Sequence, residues 1–107
     1  MKIRNIIILV LALTVANSVR ATIGPGHVNG KITNITSVTT GILVRIDSSI
    51  VPENCTSGQA WMQIKQENTA MITMIMTAWT LGRNVTIYTS PTTSSYCNVI
   101  QVDPAES

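Results

Sequence analysis

The chain's two cysteines, one histidine and five carboxylates are the residues whose chemistry could go beyond packing and ordinary hydrogen bonding. Cys55 and Cys97 stand far apart, with neither a C-x-x-C spacing nor a histidine cluster beside them, so they do not read as a metal site. An even cysteine count in a small exported domain reads as a disulfide, and two cysteines allow one intramolecular pairing. Closing so long a loop removes about 4 kcal/mol of unfolded-state entropy. His27 lies in a Gly-rich stretch with no nucleophile or carboxylate near it in sequence, and reads as a solvated residue rather than a base. Asp47, Glu53, Glu67, Asp103 and Glu106 are scattered at loops and ends, which gives no sign of the facing pair a glycosidase needs. The expectation is a non-enzymatic chain with no catalytic residue, no metal and no cofactor.

Residues able to bind rather than react gather in one stretch. Tyr88 and Tyr96 flank a hydroxyl-rich loop containing Thr92, Thr93, Ser94 and Ser95, and phenols beside hydroxyls can stack on and hydrogen-bond a carbohydrate. An ordinary polar connection has the same composition, so both readings stand. Trp61 reads as core or interface packing, with a sugar-stacking platform as the alternative. Asn34, Asn54 and Asn84 each open an N-x-[ST] triplet, which in a threonine-rich chain serves only as a hint of surface position.

The beginning of the chain sets the compartment. Lys2 and Arg4 precede an apolar run over residues 6–12, too short to span a bilayer, and small residues follow. The pattern predicts a secretory signal peptide over 1–21, cleaved after Ala21 with Val19 at the minus-three position, or after Ser18. Localisation would then be periplasmic or secreted, with no stable membrane anchor. Three of the seven basic residues (Lys2, Arg4, Arg20) leave with the leader, so Lys31, Arg45, Lys65 and Arg83 remain against five acidic residues. A net charge near minus one does not supply the phosphate-neutralising patch of a nucleic-acid binder.

The rest, 22–107, is long enough for one domain. Residues 22–30 form a poorly specified lead-in rich in Gly and Pro. Residues 31–38 and 42–46 alternate on either side of a short turn, a hairpin pattern. A loop over 48–58 carries the first cysteine, and 60–65 resumes the alternation. After a helix, strands are expected at 84–89 and 97–103, with a frayed tail from 104 to 107. The fold class is mainly β with one helix, in the order β-β-β-α-β-β. Its connectivity is that of a five-stranded OB-type barrel.

The helix, over 68–81, has no charged side chain between Glu67 and Arg83. Met71, Met74, Ile75, Ala78 and Leu81 form one stripe at the i, i+3, i+4, i+7 spacing, the expected core face. Ile72, Met76 and Trp79 form a second apolar stripe beside it, a candidate oligomer interface. The alternative is that the strands wrap round the helix and bury both. Threonines 69, 73, 77 and 80 supply an uncharged polar face. Asn68 or Thr69 can cap the start, and Gly82 suits the stop.

The block from Ala78 through Trp79, Thr80, Leu81, Gly82 and Arg83 to Asn84, Val85, Thr86, Ile87 and Tyr88 resembles the helix end and following strand of B subunits of the subtilase cytotoxin and typhoid toxin type. Gly30, Lys31 and Ile32 are similar to the G-Q-I of their first strand. More loosely, the helix and strand resemble the cholera toxin B subunit. The resemblance implies an OB-type barrel, a homo-oligomeric ring of five with helices lining a pore, a cell-surface glycan or protein ligand, and a catalytic partner subunit. No sugar-contacting residue transfers, because residues 24–29 lack the Tyr and Ser run of those subunits. The competing expectation is a periplasmic or secreted scaffold protein that contacts another polypeptide through the helix face.

Overall fold

The computed structural model describes residues 22–104, so the expected leader and the last three residues of the tail lie outside it. Strands β1 (Thr22–Ile23), β2 (His27–Val38), β3 (Gly41–Ile46) and β4 (Met62–Lys65) precede helix α1 (Thr69–Leu81), and β5 (Asn84–Thr89) and β6 (Cys97–Pro104) follow it. The described residues are therefore mainly β with a single helix. Strands β2, β3, β4, β6 and β5 pair in that order, and β5 returns to β2, so five of the six are joined in a ring. Only the β4–β6 pair is parallel.

The long strand β2 closes the ring by serving two partners. Its first half pairs with β5 from His27↔Tyr88 to Lys31↔Asn84, and its second half pairs with β3 from Ile32↔Ile46 to Val38↔Gly41. The register shifts between Ile32 and Asn34, where an extra residue lets the strand bend from one partner toward the other. Thr33 sits at the shift, and its hydroxyl accepts the Ser48 N–H at 2.6 Å. This bond ties down the turn after β3, where Asp47 and Ser48 both take left-handed backbone (φ 48° and 76°). Two parts of this region differ from the sequence expectation. The lead-in is structured, because β1 and the start of β2 occupy most of it, and β6 extends through Pro104 into the expected tail.

Alternation fills the inside of the ring. Val28 and Ile32, Val44 and Ile46, Met62 and Ile64, Val85 and Ile87, and Cys97, Val99 and Val102 are buried in one cluster, which Ile75 and Ala78 of α1 join. Cys55 and Cys97 form a disulfide across 42 residues, with Cα atoms 5.6 Å apart. Both are buried.

Helix α1 ends where the sequence predicts. Gly82 is left-handed (φ 66°, ψ 31°), and Arg83 N–H bonds to Ala78 O at 2.9 Å, closing the last turn. At the other end Asn68 takes the N-cap position, but no side chain makes a capping hydrogen bond. The rotation of the helix differs from expectation. Ile75 and Ala78 are buried and Met71 packs beside them, but Met74 and Leu81, expected inside, are 38% and 64% exposed. Ile72, placed by sequence in the second stripe, packs against the core. An apolar sector about twice as wide as one sheet can cover leaves the rotation to tertiary packing.

Candidate functional site

Three surfaces hold the residues singled out by sequence. The first is the hydroxyl-rich loop after β5. Strand β5 directs Val85, Ile87 and Thr89 inward, and Thr89 is the buried polar residue of the core. Its hydroxyl donates to Asn54 Oδ1 (2.7 Å), and Asn54 Nδ2 donates back to Thr89 O (2.9 Å). Backbone bonds extend the junction: Thr89 N–H to Gly26 O, Asn54 N–H to Pro25 O, and Thr92 N–H to Asn54 O, each 3.0 Å. The lead-in, the cysteine loop and the candidate ligand loop thus meet at one knot beside the disulfide.

Within that loop the hydroxyls divide into two groups. Thr92 Oγ1 donates to Ser90 O (3.0 Å), and Thr92 O accepts from Thr56 N–H (2.9 Å), so Thr92 is built into the junction. Thr93, Ser94 and Ser95 are exposed, with Ser95 left-handed at φ 68°. Tyr88 lies on the outer side of β5 and pairs with His27 of β2, ring centroids 5.6 Å apart. Tyr96 is half-buried just before Cys97. His27, read from sequence as solvated, is half-buried against that phenol.

The second surface is the outer face of β3, β4 and β6. Val44, Met62 and Cys97 point inward in one row, and the next row, Leu43, Gln63 and Asn98, alternates to the other side of the sheet, where Gln63 and Asn98 are half-buried and Leu43 is buried at 3% exposure. Arg45 also lies outside, and its guanidinium rests 4.2 Å from the centre of the Trp61 ring. Among the described residues, two buried side-chain polar atoms have no hydrogen-bond partner: Arg45 Nε and Asn98 Oδ1. Both residues belong to this face. Sequence alternation placed Arg45 outside, but nothing in it marked Asn98.

The third surface is the outside of α1. Met76 and Trp79 are 40% and 45% exposed, and Met74 and Leu81 join them. Thr73, Thr77 and Thr80 direct their hydroxyls to the carbonyls of Thr69, Thr73 and Met76 (2.8–2.9 Å). Such back-bonding leaves their methyl groups facing solvent, so the threonine face is less polar than its composition. An apolar groove of about 240 Å³ runs along one flank, lined by Met74, Thr77, Leu81, Arg83 and Pro104 among others. A shallower one of about 280 Å³ lies over Met76 and Thr80.

Among the described residues, no group of three or more His, Cys, Asp and Glu converges. Compared with protein families, with characterised proteins and with solved structures, the chain gives no match.

Proposed function

We propose that this chain is an exported, non-enzymatic binding subunit that assembles with copies of itself and recognises a cell-surface glycan or protein through its outer loops, in the manner of toxin B subunits. The observation carrying this reading is the outer side of α1. Four large apolar side chains are exposed on a helix of 13 residues with no charge on any face, while the core is already filled from inside the ring. An exposed helix of this composition is stabilised by covering it, and a surface without charges is complementary to a copy of itself.

The strand order supports an OB-type barrel as the finer reading of the ring. A long bent first strand shared by two partners, a parallel pair between the third and fifth ring strands, and a helix between the third and fourth fit that architecture. The buried disulfide supports export, since such bonds persist in oxidising compartments.

Mass measurement of the chain from Thr22 onward, by light scattering after size exclusion, tests the assembly. A ring of five is expected, together with a hit on a glycan array. A clean monomer at high concentration overturns the reading.

The groove flanked by Arg83 favours a second reading. A cation at the rim of an otherwise apolar cleft suits an unlike polypeptide carrying a carboxylate, as in a scaffold protein. A one-to-one heteromer with no glycan affinity would select it.

A further inference from the structure

The groove beside α1 is built jointly by the helix and the end of the β5–β6 ladder. Met74, Thr77 and Leu81 line it from the helix, and Arg83 and Pro104 from the ladder; among the described residues Arg83 is the one charge in the lining. Leu81 is left 64% exposed there. Asp103, the carboxylate of β6, serves the other face of the sheet. It stands opposite the outward Thr86, and Gln101 Nε2 donates to both of its oxygens at 3.2 Å.

The register of the ladder extends beyond its last pair. Tyr88↔Gln101, Ile87↔Val102, Thr86↔Asp103 and Val85↔Pro104 run without a shift, and Ala105, Glu106 and Ser107 follow Pro104 in sequence. Two more steps of the same register set Asn84 opposite Ala105 and Arg83 opposite Glu106. Facing residues of an antiparallel pair share a face. Val85, Ile87 and Val102 are buried on the inner side and Pro104 lines the groove, so the next position on that face, Glu106, comes to the groove beside Arg83.

The hydrogen-bond phase of β5 suits this extension. Thr89 N–H bonds to Gly26 O (3.0 Å), on the β2 side, and Ser90 N–H bonds to Asn98 O (3.1 Å), on the β6 side. Counting back along β5, Tyr88, Thr86 and Asn84 turn their backbone groups to β6, whereas Ile87, Val85 and Arg83 do not. Pro104, opposite Val85, is therefore asked for no N–H. The Arg83 N–H is equally unneeded by the ladder, and it closes the helix on Ala78 O at 2.9 Å. Arg83 opposite Glu106 is thus a non-hydrogen-bonded position, the kind at which facing side chains come closest.

We infer that residues 105 and 106 continue β6 and that Glu106 occupies this groove, its carboxylate on the Arg83 guanidinium and its methylenes over Leu81. The chain thereby covers its own cleft. An unlike polypeptide that offers a carboxylate to Arg83 must displace Glu106, so the tail is a strap that competes with such a partner. The inference goes beyond the glycan-binding reading and does not depend on it.

The test is NMR spectroscopy of the isotope-labelled chain from Thr22 to Ser107. A cross-strand Hα–Hα nuclear Overhauser effect between Arg83 and Glu106 is expected. The Ala105 amide, which the register hands to Asn84 O, should exchange at least about tenfold more slowly than in an unstructured chain. Glu106→Gln should speed that exchange about two- to fivefold, the range of an exposed ion pair, and Arg83→Glu combined with Glu106→Arg should restore it.

Absence of the Arg83–Glu106 effect overturns the inference, as does Ala105 exchange at the unstructured rate or an exchange that Glu106→Gln leaves unchanged. In a mixture of labelled and unlabelled chains, contacts to the Leu81 methyls from a second copy would overturn it too, by giving the groove to self-assembly. These signals are read apart from the glycan array, so a free tail leaves the glycan-binding reading standing.

Discussion

Asn54 and Thr89, 35 residues apart, close a reciprocal pair: the Thr89 hydroxyl donates to Asn54 Oδ1, and Asn54 Nδ2 donates to the Thr89 carbonyl. Thr89 is 3% exposed and Asn54 half-buried, so the Thr89 side of the pair is shut off from bulk water. Thr89→Val, nearly isosteric, leaves Asn54 Oδ1 without its donor next to the core. It should cost about 1–3 kcal/mol, read from the urea midpoint. Thr86→Val removes an outer-face hydroxyl that accepts from Asn29, and should cost less. Equal losses would mean that the pair contributes nothing beyond an ordinary surface bond.

The same pair bears on the three N-x-[ST] triplets. Asn34 is exposed on β2, whereas Asn54 has its amide nitrogen committed to Thr89. Expressed through a eukaryotic secretory pathway, the folded chain should accept a glycan at Asn34 and stay unmodified at Asn54. Mass spectrometry of peptides after enzymatic deglycosylation reads both sites, and occupancy at Asn54 above that at Asn34 would contradict the geometry.

The disulfide staples the Asn54 junction to the start of β6. Replacing both cysteines by serine should lower stability by about 4 kcal/mol from loop-closure entropy alone. That is a large share of what a domain of this size holds. In the same denaturation series, a loss below 1 kcal/mol would show that the cysteine loop is already ordered in the unfolded chain.

Gly41 opens β3 with φ 154°, and a Cβ built there would strike the carbonyl oxygen of Ile64 on β4. The clash is with backbone, which cannot swing away as a side chain would. Gly41→Ala should therefore destabilise by about 1–3 kcal/mol through the β3–β4 pairing. Gly58→Ala, also at positive φ (84°) but with open space around it, is the control for backbone strain without collision. Similar melting temperatures for the two variants would remove the close approach as a cause.

Those residues also show where the sequence was readable. Strand β5 and the end of α1 were legible because local chemistry decides them: a glycine stop, then alternation from Asn84 to Thr89. The entry of β2 at His27 was not, since Val28 and Gly30 are turned inward by pairing with β5, more than fifty residues away. Alternation likewise showed that Arg45 points outward, but not that Trp61 lies beneath it. Helix rotation failed for a different reason. When apolar residues cover most of the circumference, the period of 3.6 no longer selects a face, and the ring chose the one centred on Ile75.

That choice sharpens the assembly prediction to Met76 and Trp79, because Ile72 belongs partly to the core. Ile75 is fully buried, and Ile75→Ala should cost 2–5 kcal/mol as a core cavity whatever the chain's assembly state. Met76→Lys and Trp79→Glu place charges on side chains 40% and 45% exposed, so the isolated fold should lose no more than about 1 kcal/mol. In an assembly that covers α1 the same charges are desolvated without partners, and the complex should dissociate. Light scattering at matched concentration reads the mass, and thermal melting of the separated monomer reads the fold. An oligomer that survives both charges would place the subunit contact elsewhere, whereas loss of folded monomer would make Met76 and Trp79 part of the core's own cover.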